Sequence, residues 1–530
     1  MKRIRLQNIA TKKKSRTKNT IYNFITSFGS QMFHVILQFA VRTVFIHTLG
    51  KAYLGIGGLF SNILTMLSLA ELGVGSAIIF KLYKPIANDD NNRISALMKF
   101  YKQIYRVIGL VVALIGLCLI PFLPQLIKDY DKLATLNINA VFIFCLYLFK
   151  SVSSYLFFAY RSAIIKANQK EYLINVIDFV FRVAFSILQI ILLLVYPNFV
   201  AYLALSIFEV ILKNIVVAII SSKLFPYINE QSCERLSRSE IKEVFKDCGA
   251  LMLYKLNGVV LKATDNIVIS SFLGLEYVGL YANYYMLYTF LHSVFTKLFG
   301  AVAHSLGNLH ATTSGSHEYE IFRKVHLIAA IIGGTAAVGI AVCSDELVQN
   351  WIGHDWIIAQ PFSFLLGLEV ITLSFRHFLS RYRTTMGLFQ QAKYRPVLGA
   401  VINIIVSVVL VRFWGINGVL VGTILADWLT LMWYDPIIIH KYGFKAPEKI
   451  KGYFLRTAKY ILVIALTGVL DYYLCKRCFV GRGWLSLIIH GILCGITVPV
   501  VLVTISSKSS EGKFLLHFVF RIFRKIIPSK

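Results

Sequence analysis

Residues 173–222 read LINVIDFVFRVAFSILQIILLLVYPNFVAYLALSIFEVILKNIVVAIISS. Two apolar runs, 173–196 and 199–222, are parted only by Pro197 and Asn198. A helix needs about 20 mostly apolar residues to cross the hydrocarbon core of a bilayer. Each run meets that length, and the short break between them turns the chain back. Neither run alternates with period two, so a membrane barrel is excluded. Both carry mid-run charges, Asp178 and Arg182 in the first and Glu209 and Lys213 in the second.

The same pattern extends in both directions. Apolar stretches lie at about 19–48, 55–80, 104–127, 137–160, 173–196, 199–222, 247–272, 277–306, 322–343, 357–380, 396–413, 415–439, 457–474 and 484–505. The expectation is an all-α polytopic membrane protein of about fourteen transmembrane helices. Composition agrees: 57% of residues are hydrophobic and 15% charged, against about 45–50% and about 25% in soluble domains. A soluble enzyme is thereby excluded. The first eighteen residues are basic, and the apolar stretch behind them is too long for a signal-peptide core and lacks a small-x-small cleavage site. It reads as an uncleaved first helix with its amino end in the cytoplasm.

The formal net charge of +29 would ordinarily suggest nucleic acid, but lysine and arginine also mark the cytoplasmic ends of membrane helices. With the amino end inside, forty of the fifty-five basic residues fall on inside segments and seven on outside loops. That asymmetry supports the helix count, places both termini in the cytoplasm and removes nucleic acid as a partner. No connecting loop is long enough to fold as a catalytic domain. The expected organisation is a basic terminus at 1–18, an N-lobe at 19–223, a linker at 224–246, a C-lobe at 247–440, two further helices at 457–505 and a basic tail at 506–530. The tail mixes Phe and Ile with Lys513, Arg521, Arg524 and Lys525, the composition of an interfacial helix on anionic lipid.

An internal duplication is visible. Leu49-Gly-Lys-Ala-Tyr-Leu-Gly55 and Leu273-Gly-Leu-Glu-Tyr-Val-Gly279 share the pattern L-G-x-x-Y-[LV]-G at an offset of 224 residues. Gln169-Lys-Glu-Tyr172 and Gln391-Ala-Lys-Tyr394 repeat at 222. Six helices separate equivalent positions, so the copies run parallel, and transporters place substrate between such repeats.

Cations within the apolar stretches are costly, roughly 2.5–3.5 kcal/mol each on insertion scales, and should face protein or water. The first half has Arg42, Lys150, Arg182 and Lys213, with Glu71, Asp178 and Glu209. The second has Lys255, Lys262, Lys297 and Arg376, with Asp265, Glu369 and Asp427. Asp178/Arg182 and Glu209/Lys213 are spaced i,i+4 and Lys262/Asp265 i,i+3, as local ion pairs would be. Arg42, Lys150, Lys255, Lys297 and Arg376 have no close acidic neighbour on their own helices. A surplus of buried cations favours an anionic substrate, arginine binding phosphate as a fork and lysine as a point charge. Cys475-Lys-Arg-Cys478 has no second pair to complete a zinc site, and two thiols are the plainer reading. His304, His310 and His317 are too dispersed to ligate a metal.

Several segments resemble Wzx-type polysaccharide flippases: Leu69-Ala-Glu-Leu-Gly-Val-Gly-Ser-Ala77 with Tyr83-Lys-Pro85, Thr264-Asp-Asn-Ile-Val-Ile-Ser270, Val278-Gly-Leu-Tyr-Ala-Asn283, and Gly415-Ile-Asn-Gly-Val-Leu-Val-Gly-Thr423. The resemblance covers about residues 19–505. It implies the multidrug/oligosaccharidyl-lipid/polysaccharide superfamily, with two six-helix lobes and two added helices. It also implies transfer of an undecaprenyl-diphosphate-linked oligosaccharide from the inner to the outer leaflet of a bacterial plasma membrane, by alternating access. Glycosyltransferases and a polymerase of the same pathway would be partners. The resemblance assigns no single residue to the headgroup, so the cation roles rest on depth and pairing. Arg42, Lys150, Lys255, Lys262 and Arg376 are expected to contact it, with Arg182, Lys213 and Lys297 in support. Glu71, Asp178, Glu209 and Asp427 are candidates for coupling to protons or sodium; no other cofactor is expected. The rival readings are an antiporter of cationic drugs, disfavoured by the buried cations, a membrane polymerase or ligase, disfavoured by the short loops, and a structural scaffold.

Overall fold

The computed structural model describes residues 2–68, 74–128, 130–131, 133, 138–229, 236–242, 244–245, 264–312, 315–477 and 483–517. The protein is an all-α polytopic membrane protein, with no strand among the described residues. Ten of its described helices are long and apolar enough to cross a membrane. Eleven are if Ala140–Leu156 and Ala159–Ala167, bent by 43°, form one span. The expected stretches 55–80 and 247–272 run into residues 69–73 and 247–263, outside the described residues. The chain forms two compact units, residues 1–278 and 279–530.

The first unit contains α1 (Lys2–Leu67), α2 (Val74–Ala87), α3 (Asn91–Leu119), α4 (Ala140–Leu156), α5 (Ser162–Ala167), α6 (Glu171–Val195) and α7 (Phe199–Leu224). α1 packs on α6 and α4, and α4 also on α3 and α7. Side-chain oxygens start three of the helices. Asp90, Asn139 and Asn198 each accept from the backbone N–H three residues on, all at 3.0 Å, satisfying donors that the first turn leaves open. Ile56, Leu59, Phe60 and Phe144 are fully buried, whereas Leu110 and Leu114 on α3 and Ile191 and Leu194 on α6 are more than half exposed. In water such apolar faces would be unfavourable by about 25 cal/mol per Å²; against hydrocarbon they are not.

Both copies of the duplicated heptapeptide turn the chain at their glycine. Gly50 has φ 81° and ψ −170° within α1, and Gly274 has φ 107° just before α8 (Leu275–Thr312). Side-chain-bearing residues rarely reach either conformation, so the two glycines place equivalent hinges 224 residues apart. Within the first unit the two copies also meet, Gly55 lying against the backbone carbonyl of Leu275 with no room for a β-carbon. The second repeated motif precedes equivalent helices, α6 and α11 (Arg395–Trp414).

The second unit contains most of α8, then α9 (Gly315–Ile352), α10 (Phe362–Thr385), α11, α12 (Ile416–Ile438), α13 (Ile450–Arg477) and α14 (Trp484–Ser506). Tyr281, Asn283, Tyr284, Tyr285, Tyr288 and His292 interrupt the apolar sequence of α8. α11 and α12 form a tight hairpin turned at Gly415. Gly418 abuts the carbonyl of Leu410 and Gly422 abuts Ser407, while Asn403 Nδ2 donates to Thr423 Oγ1 at 2.9 Å. This is the small-residue packing and interhelical hydrogen bonding of membrane helices. α9 is central to the unit. A β-carbon on Gly367 of α10 would meet the Ala337 carbonyl at 2.7 Å, and one on Gly334 would meet Ile464 of α13 at 2.7 Å. Thr497 Oγ1 of α14 donates to Asp471 of α13 at 2.6 Å, and His490 Nδ1 lies 2.7 Å from Glu346 Oε2 of α9. α13 and α14, the helices outside the duplication, therefore belong to the second unit.

Candidate functional site

In the first unit, four helices bring their mid-helix charges together. Asp178 and Arg182 lie one turn apart on α6, Glu209 and Lys213 one turn apart on α7, Lys150 on α4 and His34 on α1. All six are half-buried. The i,i+4 spacing suggests pairing along each helix, but the pairing runs between helices. Lys213 Nζ lies 3.1 Å from Asp178 Oδ1, and Arg182 Nη1 donates to His34 Nε2 at 2.7 Å. A guanidinium only donates, so the imidazole nitrogen accepts. Glu209 stands within electrostatic reach of Lys150, Arg182 and Lys213. Among the described residues, neither Lys150 nor Arg182 has a carboxylate at ion-pair distance. Three cations against two carboxylates leave one positive charge in excess, within a region where screening is weak.

Arg42 lies further along α1, in electrostatic reach of Tyr202, which in turn reaches Glu209. Phe45 of α1 and Phe199 of α7 pack with Tyr202 of α7, and Tyr147 of α4 lies within its electrostatic reach. The ring of Phe45 is 5.1 Å from that of Tyr202, and Tyr53 is 5.0 Å from Phe199.

The second unit handles its central charge differently. Arg376 of α10 is held by two carboxylates and a phenol. Nη1 lies 2.5 Å from Asp427 Oδ2 on α12, and Nη2 lies 3.3 Å from Glu369 Oε1 and 2.6 Å from the Tyr288 hydroxyl of α8. Tyr288 donates to Glu369 Oε1 at 3.0 Å, which closes the ring of contacts. Glu369 and Asp427 are each only 2% exposed. Arg376, read along its own helix, has no nearby acid; the fold supplies one from two turns away and another from α12. The rings of His292 and His377 pack 4.9 Å apart beside Tyr288.

Toward one end of α10, Arg383 and Arg395 converge on Asp435, at 3.3 and 3.4 Å. All three are buried. By sequence these arginines belong to an inside loop and mark orientation; in the fold they are desolvated and held by a shared carboxylate.

Among the other expected site residues, Lys297 is half-buried on α8. Lys255, Lys262 and Glu71 lie outside the described residues. Cys475 is a buried free thiol, and Cys478 also lies outside them. His34, Tyr288, His292 and His377 were not singled out by sequence reasoning. The i, i+4, i+7 spacing of Tyr281, Tyr285 and Tyr288, whose neighbouring rings are 5.5 Å apart, was the available signal. No group of three or more His, Cys, Asp or Glu among the described residues is arranged to hold a metal.

A profile of the family described as polysaccharide biosynthesis protein matches residues 48–361, more than half of the chain. The chain belongs to that family. No curated protein matches the chain in sequence. In structure it is similar to the lipid II flippase MurJ in its inward closed conformation, with a TM-score of 0.61 at 15% identity, covering 92% of this chain and 99% of that one. The Vibrio cholerae MATE transporter VcmN gives 0.52 at 16% identity, covering 81% and 99%. An inward-facing MATE family transporter of the MOP superfamily gives 0.52 at 14%, covering 76% and 94%. At these identities the likeness is one of fold.

Proposed function

We propose that the protein is a flippase that carries an undecaprenyl-diphosphate-linked oligosaccharide from the inner to the outer leaflet of the bacterial plasma membrane, for export of a surface polysaccharide. The observation that carries this reading is the charge cluster of the first unit. There Lys150 and Arg182 stand at membrane depth without a carboxylate at ion-pair distance. Cations so placed are unfavourable unless an anion compensates them, and a diphosphate offers the charge density both can use. Arg42 and Lys213 add charge around the same path, and Lys255, Lys262 and Lys297 are the proposed counterparts in the second half, whereas Arg376 could reach the headgroup only by leaving Glu369 and Asp427. Membership of a polysaccharide biosynthesis family and a fold shared with a lipid II flippase point the same way.

In this reading two six-helix lobes, residues 19–223 and 247–440, alternate in access, with residues 457–505 added to the second. Both termini are cytoplasmic, and the basic tail rests on anionic lipid. The protein makes and breaks no covalent bond. Protons or sodium drive the cycle through Asp178, Glu209, Asp427 or Glu71. The glycosyltransferases and polymerase of the same pathway supply and consume its cargo. A drug antiporter of the same fold is the second reading, and the cation surplus of the first unit disfavours it.

The test is deletion in a producing cell. Surface polysaccharide should be lost while lipid-linked repeat units accumulate facing inward. A Lys150→Ala/Arg182→Ala variant present at normal level should behave like the deletion; normal export by that variant would refute the anion-site reading.

A further inference from the structure

The first unit carries an aromatic tier beside its charges. On α1, Phe45 lies one turn from Arg42; on α4, Tyr147 lies one turn from Lys150; on α7, Tyr202 lies two turns from Glu209. α1 runs opposite to α4 and α7 in chain direction, and its order is reversed to match. In all three helices the ring therefore sits nearer the end where α7 begins, and the charge sits deeper. Phe199, Tyr202, Ser206, Glu209 and Lys213 follow one stripe of α7, at the spacing that places residues on one helix face.

On its phenylalanine side, Phe45 and Phe199, the tier is buried; at its tyrosines it is not closed in the manner of a hydrophobic core. Tyr53, Tyr147 and Tyr202 are half-buried, unlike Phe60 and Phe144 behind them, which are fully buried. Among the described residues nothing bonds to the three tyrosine hydroxyls, and none of these oxygens is sealed from its surroundings. The Tyr147 hydroxyl lies against Gly57, where a β-carbon would come within 2.8 Å of it, so the missing side chain leaves the oxygen its place. The Phe199 and Tyr202 rings are nearly parallel, at 16°. Apolar ring faces joined to unused hydroxyl groups match a ligand with apolar C–H faces and many hydroxyls. A lipid tail would use the faces and leave the hydroxyls unbonded, which is unfavourable away from water.

We infer that Tyr53, Tyr147 and Tyr202 form a saccharide subsite, in which sugar rings of the cargo rest on the aromatic tier while its diphosphate engages the charged tier below. This inference rests on the proposed function, because it assigns a second part of the same cargo to the same site. The two tiers together distinguish a charged lipid that carries sugars from one that does not.

The test measures binding to the full chain in lipid nanodiscs with two probes. One is undecaprenyl diphosphate. The other is the lipid-linked oligosaccharide pool extracted from producing cells that lack the protein. Wild type should bind the pool at least tenfold more tightly. Tyr147→Ala/Tyr202→Ala should erase that preference, weakening binding of the pool at least fivefold more than binding of undecaprenyl diphosphate. Tyr147→Phe/Tyr202→Phe, which keeps the packing and removes only the hydroxyls, should lose threefold or more of the preference. Phe variants that bind the pool like wild type, or Ala variants that weaken both probes equally, would overturn the subsite. Wild type that binds both probes equally would overturn it and leave the flippase reading standing. Wild type that binds neither would overturn both.

Discussion

Arg376 offers the sharpest quantitative test of the second unit. Its guanidinium contacts Asp427 at 2.5 Å, Tyr288 at 2.6 Å and Glu369 at 3.3 Å, and both carboxylates are almost wholly buried. At a charge separation of about 4 Å, each attraction is worth roughly 4 kcal/mol at an effective dielectric of 20, before the opposing desolvation. Removing one partner of a buried pair typically costs about 3–5 kcal/mol, because a buried charge is left uncompensated. Arg376→Met leaves two. We therefore predict a loss of at least about 3–5 kcal/mol, seen as a large drop in thermal stability of the detergent-solubilised protein. The triple variant Arg376→Met/Glu369→Gln/Asp427→Asn removes all three charges while keeping their volume. It should recover most of that stability, since neutral replacement of a whole buried cluster is often close to neutral. Transport by the triple variant then reports whether Asp427 serves coupling or only holds the arginine. A single Arg376→Met variant as stable as wild type would refute the account, as would a triple variant no more stable than the single one.

Three further outcomes follow from the geometry. Lys213→Asp should reduce transport and stability through repulsion with Asp178, and adding Asp178→Lys should restore stability, as a thermal-shift series would register; equal stability of the single and double variants would show that the 3.1 Å pair is inconsequential. Gly50→Ala forces a β-carbon into a conformation that is essentially glycine-only, at a cost of about 1–3 kcal/mol, and should lower the midpoint of thermal unfolding, whereas Gly29→Ala, on an open face of the same helix, should not. Beyond the last spanning helix, Glu511 is buried, which alone would raise its pKa, but the hydrogen bond and charge of Arg323 at 2.6 Å, aided by its own backbone amide, hold it below the usual value. A folded pKa below the unfolded value of about 4.3 stabilises docking of this segment fully above that pH. The contribution disappears as pH falls through the folded value. Protease sensitivity of the C-terminal segment should therefore rise on acidification, and Glu511→Gln should remove that pH dependence.

The helices were legible because hydrocarbon imposes a strict length and polarity rule on any segment that crosses it. The Gly50 and Gly274 hinges were legible as a repeated heptapeptide, since a turn of that φ leaves a glycine in a fixed place. The charged residues were visible individually, because each one interrupts an apolar run. Their partners were not. Arg376 appeared unaccompanied along α10, yet Asp427 lies 51 residues away in sequence and within a hydrogen bond in space. Arg383 and Arg395 looked like ordinary loop cations, and only the placement of α12 shows them sharing Asp435.

Local spacing also suggested Asp178 with Arg182 and Glu209 with Lys213, where the fold chose Lys213 with Asp178 and Arg182 with His34. Side chains one turn apart on a helix can meet, but those on facing helices meet more directly when the helices pack closely and no water competes. That the chain is helical, membrane-embedded and duplicated follows from runs and repeats along one dimension, and these are visible in the order of residues. Which charges cancel and which remain for a ligand emerges only when the helices pack, because electrostatic energy depends on distance in three dimensions.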